Sequence, residues 1–178
     1  MNRSPVERFF YFCRMNKEIS TRVKVRFSDC DPIGHLNNVK YLEYMLNARE
    51  DHVEQSYGFT YEEYSRKTGC TWIAIQNEIA YLAEVRYNTS VEITSKTIET
   101  TDRVSKVEIL MKSLDGKTIH AVLWITVIYF NMKTRKSEAM PAETIENFSR
   151  FFVEIPEKDF QSRVNHFRTF NKSEGNSL

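Results

Sequence analysis

Between residues 29 and 38 the chain carries a run of side chains that can do chemistry: Asp29, Asp31, His35, Asn37 and Asn38, with Pro32 and Gly34 set among them. A carboxylate can activate a water molecule or attack an electrophilic carbon itself. Negative charge that then builds on an oxygen is stabilised by the free N–H groups and the dipole at the start of a helix. A loop carboxylate placed just before a helix meets both needs, and Asp31 stands seven residues before Asn38. Gly34 lets the backbone approach a ligand closely. Each residue also has a structural reading. Asp before proline starts turns, Asp29 suits a hydrogen bond within the loop, and Asn37 and Asn38 are good helix caps. His35 shares no metal-ligand spacing with His52, His120 or His166, so it reads as a pocket-shaping hydrogen-bonder and no metal is expected.

The elements that must position this run follow from periodicity. Residues 20–28 alternate, with Val23, Val25 and Phe27 on one side and Arg22, Lys24 and Arg26 on the other, which predicts a strand with one wet face. Residues 29–36 break the pattern as a loop. From 37 to 57 the period changes: Val39, Leu42, Met45, Leu46, Val53 and Tyr57 recur at helical steps between charged residues, and Gly58 supplies a stop. Thr60 caps a second, short helix over 60–68, with Glu62 and Glu63 in its first turn. Strands are predicted at 71–81, 85–100, 103–114 and 118–130, with Asp115-Gly116 as a hairpin turn and the near-continuous apolar run 118–130 as a central strand buried on both faces. A helix is expected over 142–152 after Pro141. The order is α+β: an antiparallel sheet wrapped around one long helix. Glu78, beside Gln76, offers a second pocket carboxylate or else a solvent-facing or interface residue. Trp72 and Trp124 read as core or interface aromatics. Arg86, Arg103, Lys106 and Lys112 are the candidate cations for a phosphorylated ligand, each also an ordinary surface charge.

Composition narrows the function. A net charge of +1 argues against a strong nucleic-acid binder, and five glycines in all leave little for a phosphate loop away from Gly34. No apolar run approaches the ~20 residues of a membrane span. Three cysteines without a C-x-x-C pair read as reduced thiols in a cytoplasmic protein. Residues 1–19 read as an N-terminal leader, too short in its apolar part for a secretory signal, and Met15 is a candidate natural start. The main domain is 20–153, and 154–178 reads as a polar, mobile C-terminal tail.

The segment Val25-Arg26-Phe27-Ser28-Asp29-Cys30-Asp31-Pro32-Ile33-Gly34-His35-Leu36-Asn37-Asn38-Val39-Lys40-Tyr41-Leu42 resembles the active-site segment of the 4-hydroxybenzoyl-CoA thioesterase family. The resemblance continues through Asn77-Glu78-Ile79-Ala80-Tyr81-Leu82, Arg86-Tyr87, the Asp115-Gly116-Lys117 hairpin, Trp124 and Pro141, and covers about residues 20–150. It implies the hotdog fold and a cofactor-free acyl-CoA thioesterase, with Asp31 as the catalytic carboxylate and the backbone N–H near Asn38 as donor to the thioester oxygen. Gly34, His35, Asn37, Glu78 and Arg86 would then line the substrate site. The acyl carrier is CoA or an acyl-carrier protein, and the assembly a homodimer or a dimer of dimers with shared pockets. The chain departs from the family at Ala80, where Asp or Asn is frequent, at Glu84, where Pro is frequent, and at Asn88-Thr89 in place of Gly-Asp. Two rival readings share the fold: an enoyl-thioester hydratase using Asp31 with His35, and an acyl-binding protein without turnover.

Overall fold

The computed structural model describes residues 19–175; the expected leader, with Met15, lies outside them save for Ile19. Five strands form one antiparallel sheet in the order β1 (Ile19–Lys24), β3 (Ser90–Thr100), β4 (Val104–Ser113), β5 (Ile119–Asn131) and β2 (Cys70–Tyr81); a two-residue β6 (Lys136–Ser137) pairs with β5. The long helix α1 (Asn38–Tyr57) lies across the inner face, followed by α2 (Tyr61–Thr68); α3 (Ala142–Ser149) and α4 (Phe160–Gly175) come after the sheet. This is the hotdog arrangement that the resemblance implies. No helix among the described residues is long and apolar enough to cross a membrane.

Local chemistry explains the boundaries. Asn37 caps α1, its side chain accepting from the Val39 N–H, and Gly58 ends the helix in the left-handed conformation at φ 71°. Thr60 and Glu63 form a reciprocal capping box on α2. The inner core joins Met45 of α1 to Ile93, Ile109, Met111 and Leu123 of three adjacent strands. β5 is central and buried on both sides: Ala121, Leu123 and Ile125 meet the inner core, while Val122 and Trp124 belong to a cluster on the outer face.

Three expectations need correction. The first strand stops at Lys24; Phe27 sits in a 3-10 turn over Phe27–Asp29 and is 80% exposed. The buried stripe of α1 is Tyr41, Met45, Ala48, His52 and Val53, whereas Val39 and Leu46 are exposed. His52 turns the helix, because its two ring nitrogens pair with Thr21 on β1 and Ser95 on β3, at 3.0 and 2.8 Å, so a polar side chain occupies the interior. The polar tail contains α4, whose Val164 and Phe167 are buried against Leu110, Val122 and Trp124. Its polar residues face two ways: Arg163 reaches under the helix to the fully buried Glu108, with Nε and Nη2 at 2.7 and 2.8 Å from its carboxylate oxygens. Glu108 also accepts from Trp124 Nε1 at 2.9 Å and pairs with Lys96 at 3.2 Å.

Candidate active site

The loop between β1 and α1 closes on itself. The Asp31 N–H donates to the His35 carbonyl at 2.8 Å, and the Gly34 N–H donates to the Asp31 carbonyl at 3.0 Å. Gly34 makes this turn possible at φ +83°. Asp31 Oδ1 accepts from the Ile33 and His35 N–H groups at 3.1 and 3.0 Å. Its other oxygen has no hydrogen-bond donor among the described residues. The carboxylate is therefore oriented through one oxygen and open at the other.

Asp31 and Asn38 line one cleft of about 290 Å³, together with His35, Leu36, Tyr41, Tyr81 and the segment Leu82 to Glu84. In the first turn of α1 the Val39 N–H is taken by the Asn37 side chain, and the Lys40 and Tyr41 N–H groups by its carbonyl. The Asn38 N–H has no acceptor among the described residues. It is the free donor at the positive end of the helix. Tyr81 donates to the Asn38 carbonyl at 3.0 Å, so β2 holds this turn in place. Tyr41 receives the Val85 N–H at 3.0 Å, and burial pushes its phenol up to about 12, so it stays a neutral hydrogen-bonding strut.

Around this centre the structure sorts the sequence-predicted residues. His35 pairs with Glu84, Nε2 to Oε2 at 3.1 Å. Glu84 in turn accepts from Arg86 Nε and Nη2 at 3.0 and 2.9 Å; Arg86 itself does not line the cleft. Asn37 is the helix cap. Asp29 takes the Tyr44 hydroxyl, which with the nearby Lys40 holds its carboxyl below the usual carboxylate range; it anchors the loop outside the cleft. Glu78 is not brought to the site. It opposes Trp124 on the outer face, whereas Ile79 and Tyr81 point inward. Lys106 and Lys112 pair with Glu99 and Glu92, and Arg103 with Asp102; none of the three lines the cleft. Tyr81 and Glu84 are the site residues that sequence reading did not single out. The only signal for Glu84 was its departure from the family's proline.

The fold places this cleft at the N-terminus of the long hotdog helix. The chain belongs to the thioesterase-like superfamily, whose family model matches residues 25–148. Membership of this family makes it a thioester hydrolase. The long-chain acyl-CoA thioesterase FadM of Escherichia coli is 24% identical over 133 residues, 74% of this chain and 98% of that protein. Among solved structures, the probable thioesterase YbaW of Escherichia coli superposes with a TM-score of 0.67 at 22% identity, over 76% of this chain and 99% of its own. The Staphylococcus aureus protein SAV2348, solved in complex with CoA, superposes with a TM-score of 0.70 at 15% identity, over 80% and 89%. At such identities the superpositions show a shared fold. α4 lies beyond the family match.

Proposed function

We propose that the protein hydrolyses fatty acyl thioesters of CoA, with Asp31 as the activating carboxylate and the Asn38 N–H as the donor to the thioester oxygen. One observation carries the reading: an oriented carboxylate with a free oxygen and an unengaged helix N-terminal N–H line the same cleft. The superfamily assignment supports the reaction class, and the long-chain acyl-CoA thioesterase among its relatives supports the acyl class.

Two routes use the same atoms. As a base, Asp31 takes a proton from water as the water oxygen adds to the thioester carbon. As a nucleophile, its free oxygen adds instead, and water then cleaves the mixed anhydride. In both, charge on the former carbonyl oxygen meets the Asn38 N–H and the helix dipole, and the C–S bond breaks to release the thiol. Arg86, bonded to the cleft residue Glu84, is the cation we assign to a CoA phosphate. The hydratase alternative uses the His35 ring together with Asp31, and the Nε2 of that ring is paired with Glu84. The exposed β2 edge at Ile75 and Gln76 is where we place a second copy of the chain.

The test is free-thiol release from fatty and aromatic acyl-CoAs. Turnover of a fatty ester that survives His35→Ala in measurable part supports the reading. Loss of all activity in that variant, with wild-type hydration of an enoyl ester, would favour the hydratase; tight binding without release by wild type would favour an acyl-binding protein.

A further inference from the structure

We propose that Phe59 and Phe148 form a stop that sets the length of the acyl chain; this rests on the thioesterase reading above. A second cavity, of about 250 Å³, lies between α1 and the sheet, walled by Leu46 and Val53 of α1, Ala74 of β2, Val107 of β4 and Ile125 of β5; Arg49 and Glu50 of α1 also line it. The two elements that build the catalytic cleft both run to it. On α1, Asn38, Leu42, Leu46 and Val53 follow at steps of four, four and seven, which places them on one helical face. On β2, Tyr81 and Ala74 both face inward, the bulge at Ile75 restoring the alternation between them.

Cleft and cavity share no lining residue, and Leu42 stands between them on this helical face; distance along the face sets the length of a chain that spans both. Leu46 lies about 12 Å and Val53 about 22 Å from Asn38 along the helix axis. With C–C bonds of ~1.5 Å in a zigzag, an extended acyl chain needs about ten carbons to reach Leu46 and about eighteen to end beside Val53. At that far end stand Phe59 and Phe148. The same two rings also wall an outer groove of about 770 Å³ that opens between α1, α2 and α3. They are a partition with the inner cavity on one side and the groove on the other. The partition is braced: Trp72 stacks on Phe59 at 6.1 Å and packs on Phe148 at 5.0 Å, and Tyr57 meets Phe148 at 4.6 Å. Phe59 lies in the α1–α2 connection and Phe148 on α3, so shortening either ring joins cavity to groove without touching Asp31 or Asn38.

The experiment is thiol release from saturated acyl-CoAs, octanoyl to eicosanoyl, by wild type, Phe59→Ala, Phe148→Ala and Ala74→Phe. Wild-type kcat/KM should fall about tenfold or more beyond its longest good substrate, as expected when added methylenes have no room. Each Phe→Ala variant should move that fall at least two carbons longer. Ala74→Phe, which fills the cavity from β2, should move it shorter while octanoyl-CoA is cleaved at the wild-type rate. Identical length profiles in all four proteins overturn the stop, as does an Ala74→Phe profile that drops equally at every length. Should a Phe→Ala variant fail to fold, Ala74→Phe and Phe148→Leu decide by the same criteria. A wild type that releases no thiol from any ester refutes the thioesterase reading instead.

Discussion

At the scale of single residues, the site depends on which groups are already engaged. Asp31 is held through Oδ1 and free at its other oxygen, and the neighbouring donors of the first turn of α1 are taken while Asn38 is not. Gly34→Ala tests the holding. No atom lies within 4 Å of an added Cβ, so the cost is the left-handed backbone alone, about 1–2 kcal/mol. Thermal unfolding should show that modest loss, while thiol release falls by more, because the His35 N–H shifts away from Asp31. His52 makes a separate prediction. Burial holds its pKa down to about 4, below the ordinary value of 6.5. A group depressed in the folded state favours unfolding once the unfolded chain takes up the proton, so this stability is complete above pH 6.5 and is lost as pH falls toward 4. The loss should reach about 2 kcal/mol by pH 5, read from urea midpoints; His52→Gln should flatten that part of the profile. That Asp31, His35 and Asn38 meet at one cleft, with Gly34 making the turn, was legible in the sequence because these residues lie within one short segment. Glu84 and Tyr81 were not, because they reach the cleft from a distant strand and its following turn.

Among the elements, strands and caps were legible from local chemistry and the packing of helices was not. Period-two runs, Asp115-Gly116 and the Thr60–Glu63 box act within a few residues of themselves. The rotation of α1 depends instead on Thr21 and Ser95, far away in the chain. α4 carried a helical signal in Phe160, Val164 and Phe167, diluted by Arg163, whose burial only the Glu108 partnership explains. That partnership is testable. Arg163→Ala leaves Glu108 buried with Lys96 and Trp124 alone and should cost about 3–5 kcal/mol by urea unfolding. Replacing both partners by apolar residues, Arg163→Met with Glu108→Leu, should recover only part of it, because Lys96 and Trp124 Nε1 then lose their acceptor. An Arg163→Ala midpoint equal to wild type would show that α4 is held by its apolar face alone.

For the whole molecule, α4 covers part of the outer sheet face and leaves the β2 edge exposed, with Ile75 57% open at its bulge. Light scattering should find a dimer at micromolar concentration, and Ile75→Lys should shift it toward monomer with a parallel fall in activity; a monomeric wild type would contradict this assembly. The same architecture brings a loop carboxylate and a helix terminus to one cleft, and the central claim is that this pairing performs the hydrolysis. Single-turnover thiol release by Asp31→Asn, on the best acyl-CoA of the wild type, tests it most directly. The substitution keeps shape and removes charge. The rate should be about two or more orders of magnitude lower, with the fold intact by circular dichroism and the ester still bound. A variant that turns over at the wild-type rate would contradict it.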